Sequence, residues 1–134
     1  MADASARGAL LLAHRVLRVD TEDHAHNPTR FPIMAREPDY SRRGTSGMMT
    51  TFVFQVRNIP AALYKAMGGF ATNGVNMTKL ESYMVDGSFS ATQFYADIEG
   101  HPDDANVRLA LEELDYFTSS MSVLGVYPAD PSRR

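Results

Sequence analysis

The run Asn76-Met-Thr-Lys-Leu-Glu-Ser-Tyr-Met-Val85 is followed by Asp86-Gly87 and then by Phe89-Ser-Ala-Thr-Gln-Phe-Tyr-Ala-Asp-Ile98. Two strands, 76–85 and 89–98, joined by a tight hairpin are the expected reading, because both positions of an Asp-Gly turn accept positive φ. Upstream, Met49 to Val56 alternates Phe52, Phe54 and Val56, the pattern of a half-buried strand. It stops at Asn58-Ile59-Pro60. Pro60 suits the first turn of a helix, and Leu63, Ala66, Met67, Phe70 and Ala71 follow the spacing of one apolar helical face. Asn73-Gly74 ends that helix with residues that tolerate a left-handed backbone. Downstream of Gly100, Pro102-Asp103-Asp104 places acids at an electropositive helix start, and Val107, Ala110, Leu111, Leu114 and Phe117 form a second stripe. A short strand, Ser122 to Tyr127, closes the domain. The resulting order is βαββαβ, an α+β, ferredoxin-like arrangement with two helices on one face of a four-stranded antiparallel sheet. The other face is left with Val53, Phe89, Ala91 and Tyr95 on it or at an edge, so the open side or edge is expected to pair with a second copy.

The rest of the chain differs in kind. Residues 1–36 offer a short helix near Asp3 to Ala13 and extended runs at Val16–Asp20 and Thr29–Ala35, too little for an independent core. The polar passage from Arg36 to Gly47 contains Pro and two Gly and reads as a connection. The division is therefore residues 1–36 as a remnant of something larger, 37–48 as linker, 49–128 as the domain and 129–134 as a tail.

At 134 residues, with 44% apolar and 22% charged side chains, the composition is that of an ordinary globular protein. Cysteine is absent, which excludes disulfides, thiolate metal sites and cysteine nucleophiles and makes a reducing cytoplasm the simplest compartment. The longest apolar stretch of the N-terminal part, Ala9 to Ala13, is far too short to span a bilayer, so no membrane partner is expected. A formal net charge of −3, from 13 basic and 16 acidic side chains, lacks the surplus that neutralises phosphates. Base-stacking sheets of this topology do use exposed aromatics such as Phe89 and Tyr95, but here the same strand carries Asp97 and Glu99, so no nucleic acid is expected. An acylphosphatase-like activity would need an Arg and an Asn aimed at a phosphate, and no Gly-rich anion loop precedes the first helix. His24 and His26 could face one side of an extended segment, yet no third ligand is placed near them, so no metal is assigned. Met67-Gly-Gly-Phe70 lies within a helix, where close packing is the natural use of its glycines. The turn Arg57 to Tyr64 remains: a helix N-terminus offers unpaired N–H groups to a carboxylate such as that of a free amino acid.

Asn58-Ile-Pro-Ala-Ala-Leu-Tyr-Lys-Ala-Met67, Gly74-Val-Asn-Met-Thr-Lys-Leu-Glu-Ser82, Phe94-Tyr-Ala-Asp-Ile-Glu-Gly-His101 and Leu124-Gly-Val-Tyr-Pro128 resemble, in order and spacing, the ACT regulatory domain at the C-terminus of prephenate dehydratase. Upstream, Asn27-Pro-Thr-Arg-Phe31 resembles the Thr-Arg-Phe motif that ends the catalytic domain. The resemblance implies conversion of prephenate to phenylpyruvate with no cofactor or metal. Thr29, Arg30 and Phe31 would form the catalytic motif, the Thr29 hydroxyl donating to the departing hydroxide. Prephenate would be a partner only of a chain with a complete catalytic domain, and residues 1–36 are too few for one lobe of it. A C-terminal piece of a longer protein, not competent as a dehydratase by itself, is therefore expected.

The resemblance further implies that L-phenylalanine binds between paired ACT domains, in a homodimer or a dimer of dimers, for feedback control. Its carboxylate would meet the turn of Asn58, Pro60, Ala61, Ala62 and Leu63. Asn76, Met77, Thr78, Glu81 and Ser82 would close the site from the second strand. Two positions depart from the family pattern: Gly-Ala-Leu reads Ala61-Ala62-Leu63, and Glu-Ser-Arg-Pro reads Glu81-Ser82-Tyr83-Met84, which removes the Arg and its ion pair. The rival readings are a stand-alone ACT module that senses an amino acid for another partner, and a ferredoxin-like domain with a purely assembling role.

Overall fold

The computed structural model describes residues 33–37, 39–41, 47–57, 59–85 and 91–130, nearly all within the unit that runs from Ala35 to Arg134. Its elements are β1 (Met48–Val56), α1 (Ala62–Thr72), β2 (Met77–Met84), β3 (Ala91–Glu99), α2 (Ala105–Phe117) and β4 (Thr118–Pro128). The strands lie in the order β2-β3-β1-β4, every neighbouring pair antiparallel. This is the ferredoxin-like βαββαβ fold expected from the pattern. The Asp86-Gly87 turn, Phe89, Asn58, the Thr29–Arg30–Phe31 motif, His14, His24 and His26 lie outside the described residues.

Alternation along the two inner strands decides which side is dry. Phe52, Phe54 and Val56 of β1 and Phe94, Ala96 and Ile98 of β3 face the helices, where Ala62, Ala66 and Phe70 of α1 and Val107, Ala110, Leu111 and Leu114 of α2 close the core. Phe52 stacks on Phe70 at 5.9 Å and Phe54 on Phe94 at 5.3 Å between ring centroids. Ala71, expected on the apolar stripe of α1, is exposed, and Gly69 is buried in its stead. The reason is steric. A Cβ on Gly69 would stand 2.7 Å from Cβ of Glu113, so the missing side chain is what lets α1 and α2 approach. Asn73 fastens the same contact, its Nδ2 donating to Glu113 Oε1 at 2.9 Å and to the Gly69 carbonyl at 2.8 Å.

β4 is longer than expected. It starts at Thr118, directly after α2, where the sequence suggested Ser122. Two low-propensity serines hide its beginning, yet pairing with β1 holds from Val56↔Thr118 to Met48↔Pro128, with register shifts at Thr51/Phe52 and Gln55/Val56. Pro60 also differs from expectation: it lies in the turn ahead of α1 rather than in its first turn.

Candidate functional site

The turn between β1 and α1 is built by a few backbone bonds. Arg57 is held at the end of β1 by its N–H to the Phe117 carbonyl (3.4 Å) and its Nε to the Thr118 carbonyl (3.2 Å). Ala62 N–H then returns to the Ile59 carbonyl at 3.1 Å, closing a four-residue turn with Pro60 second and Ala61 third. Ala61 has φ 57 and ψ 31, the left-handed conformation, and is the only non-glycine residue with positive φ among the described residues. A turn with proline second and positive φ third is the kind that glycine meets without strain. The Ala61-for-Gly departure therefore falls on a conformationally demanding position. The first bond of helical type is Lys65 N–H to the Ala61 carbonyl, 3.0 Å, which leaves the Leu63 and Tyr64 amides as first-turn donors without a helical acceptor. The resemblance would have the backbone amides near Ala61, Ala62 and Leu63 take the carboxylate; of these, that of Ala62 is engaged within the turn. Ala61 is exposed and Leu63 is half-buried against the core.

The β2 half of the set is organised by alternation. Lys79, Glu81 and Tyr83 pair with Asp97, Tyr95 and Gln93 and share their face, away from the helices, whereas Ser82 pairs with Phe94 on the helix side. Glu81 and Ser82 thus point to opposite faces of one strand. Both Glu81 oxygens are occupied: Oε1 by Lys79 Nζ at 3.0 Å and Oε2 by the Tyr83 hydroxyl at 2.8 Å. The Tyr83 hydrogen bond, then that of Lys79, holds the Glu81 carboxyl below its ordinary value, and the Tyr83 phenol and Lys79 ammonium are both raised by the same carboxylate. Losing the family Arg did not leave Glu81 alone. Its charge partner is Lys79, and Tyr83 supplies a neutral donor from the Arg position. Lys79 was legible as an i−2 neighbour on the same face of a strand but was not picked out. Also missed was buried Asp97, which accepts from the Thr51 hydroxyl, itself 3.0 Å from the Tyr127 hydroxyl.

Register decides which of these residues meet. Met77 pairs with Ile98 and, through it, with Thr50 at the start of β1, whereas the turn follows the far end, where Gln55 pairs with Gln93. Five residues of strand separate the two levels, roughly 17 Å at about 3.3 Å per residue. Asn76, Met77 and Thr78 therefore lie at one end of the sheet and Ile59 to Leu63 at the other. Tyr83 and Met84, instead, share the turn's end. Thr78 Oγ1 donates to the Asp97 carbonyl at 3.4 Å, and Asn76 and Ser82 are exposed.

Comparison with known proteins adds the following. No family model matches the chain. A bifunctional N-acyl-homoserine lactone acylase/prephenate dehydratase of Komagataeibacter europaeus is 54% identical over 134 residues, 100% of this chain and 48% of that protein. An arogenate dehydratase/prephenate dehydratase of Arabidopsis thaliana is 34% identical over 141 residues, 95% of this chain and 36% of that protein. Among solved structures, the prephenate dehydratase of Arthrobacter aurescens in complex with L-Phe superposes with a TM-score of 0.59 at 29% identity, covering 69% of this chain and 30% of that one. The chain thus spans about half the length of the first relative and about a third of the second. With the ferredoxin-like sheet in place, the chain corresponds to the C-terminal, ACT-containing portion of the prephenate dehydratase family.

Proposed function

We propose that this chain is the amino-acid-sensing end of a cytoplasmic prephenate dehydratase, binding L-phenylalanine between two copies of the domain for feedback control of phenylalanine synthesis. The observation that carries the proposal is the separation of the two half-sites. One domain cannot bring Asn76–Thr78 to Ala61–Leu63. Strand β2 is an edge strand, however, and antiparallel pairing of two β2 edges reverses their ends, bringing the partner's Asn76–Thr78 to the end of the sheet that carries this copy's turn. The Arthrobacter relative, solved with L-Phe, supports the ligand.

Magnitudes favour the shared site. A helix N-terminus contributes about 1 kcal/mol to a carboxylate and burial of a phenyl ring about 2–3 kcal/mol, which together give a dissociation constant of about 1–6 mM. Contacts from a second copy are needed to go lower. In the shared pocket the turn takes the carboxylate, and Glu81, kept ionised by Lys79 and Tyr83, takes the ammonium. In the longer protein Thr29, Arg30 and Phe31 belong to the catalytic centre, with Thr29 donating to the leaving hydroxide.

Calorimetry of the chain with phenylalanine, tyrosine and tryptophan tests the sensing role. Heat with phenylalanine is expected; heat only with another amino acid would favour a stand-alone module, and none with any would leave a purely assembling domain. Because the Komagataeibacter relative carries two activities in its name, turnover assays of the longer protein include prephenate and an N-acyl-homoserine lactone.

A further inference from the structure

The β3–α2 corner contains a buried histidine that the site does not use. His101 has no exposed surface, and both its ring nitrogens are committed. Nδ1 lies 3.1 Å from the Asp103 N–H, which can only donate, and Nε2 lies 2.9 Å from the Tyr40 carbonyl, which can only accept. In this pattern Nδ1 accepts and Nε2 donates, with Asp103 Oδ2 a further 3.4 Å neighbour of Nδ1. Its backbone N–H is taken by Asp104 Oδ2 at 2.8 Å, so the N-cap acid of α2 serves this corner instead of the helix. Tyr40 belongs to the segment leading into β1, where Asp39 Oδ1 accepts from both the N–H and the hydroxyl of Ser41.

We infer that His101 is a positioning residue that clasps Asp39–Ser41 to the domain and couples that segment to the end of the sheet carrying Asn76–Thr78. The connection is short. Glu99 N–H donates to the Asn76 carbonyl at 2.9 Å; the next residue, Gly100, donates to the Met48 carbonyl at 2.8 Å and accepts from the Thr50 hydroxyl at 2.7 Å; His101 follows and holds Tyr40. Gly100 has φ +116, and a Cβ there would lie 2.5 Å from Cγ2 of Val107, so the corner is packed too tightly to absorb a displacement. Movement at Asn76 is passed to the segment that precedes the domain. The coupling half rests on the proposal that Asn76–Thr78 contact phenylalanine; the clasp does not.

Hydrogen exchange across residues 39–41 tests both halves on the full chain, with two variants. In His101→Gln the side-chain amide replaces Nε2–H and keeps the bond to Tyr40; in His101→Asn the reach is lost while the Asp103 N–H keeps an acceptor. Without ligand, exchange is expected to run about three- to tenfold faster in His101→Asn than in the wild type, with His101→Gln near wild type. Equal rates in all three overturn the clasp. With phenylalanine, the rate in the wild type and His101→Gln is expected to change while His101→Asn binds the ligand without responding. A response equal in all three overturns the coupling, and a wild type that gives no heat with phenylalanine defeats the sensing proposal and the coupling together, leaving the ligand-free comparison to decide the clasp. Should His101→Asn not fold, the wild-type imidazole spectrum decides the clasp: a proton on Nε2 with scalar coupling to the Tyr40 carbonyl carbon supports it, and a proton on Nδ1 overturns it.

Discussion

At Ala61 a methyl group occupies a backbone conformation that costs an L-residue about 1–2 kcal/mol, immediately ahead of the first turn of α1. Ala61→Gly is expected to stabilise the domain by about 1 kcal/mol, read by urea denaturation. The strain was half legible: Ala61-for-Gly was visible as a departure, but the sign of φ came only with the turn. Glu81 gives a second residue-scale prediction. Its carboxyl is lowered by Tyr83 first and Lys79 second, so the stabilisation they provide is present above the ordinary carboxylate range and fades as pH falls through the lowered midpoint. Tyr83→Phe is expected to move the Glu81 midpoint, followed by carboxyl carbon shifts, back up toward that range. An unchanged midpoint would show that Lys79 alone sets it.

Among the elements, the helix pair is the most sensitive to small changes. Gly69 faces Glu113 with no room for a methyl, whereas Gly68, its neighbour, has nothing within 4 Å. Gly69→Ala is expected to destabilise by about 1–2 kcal/mol, overpacking outweighing the gain in helix propensity. Gly68→Ala is expected to stabilise by about 0.5–1 kcal/mol. Both are read from denaturation midpoints, and equal effects would contradict the close approach of α1 and α2. These elements were legible because Phe52, Phe54 and Val56 alternate and Val107, Ala110, Leu111 and Leu114 repeat at helical spacing. The first residues of β4 were not, since Ser120 joins the strand by pairing with Gln55 and Ser119 is the extra residue at the register shift beside it. His101 was equally hidden, as a single histidine after a glycine says nothing local about a carbonyl 61 residues away.

For the whole molecule, the residues the sequence grouped into one site are divided by register, and the proposed function has two copies with β2 edges opposed reunite them. Sedimentation is expected to show a dimer whose association tightens with phenylalanine. The most direct test of a site shared between copies uses two variants that each bind poorly. Ala61→Asp places a negative charge at the carboxylate seat on a residue type that tolerates positive φ, and Asn76→Trp obstructs the segment that the partner copy contributes, at an exposed position. Mixing them in equal amounts and titrating with phenylalanine is expected to restore about a quarter of the wild-type binding stoichiometry, because half of randomly formed dimers are mixed and each mixed dimer carries one intact site. Binding by neither variant nor by the mixture, beside a wild type that binds, would contradict a pocket made by two copies.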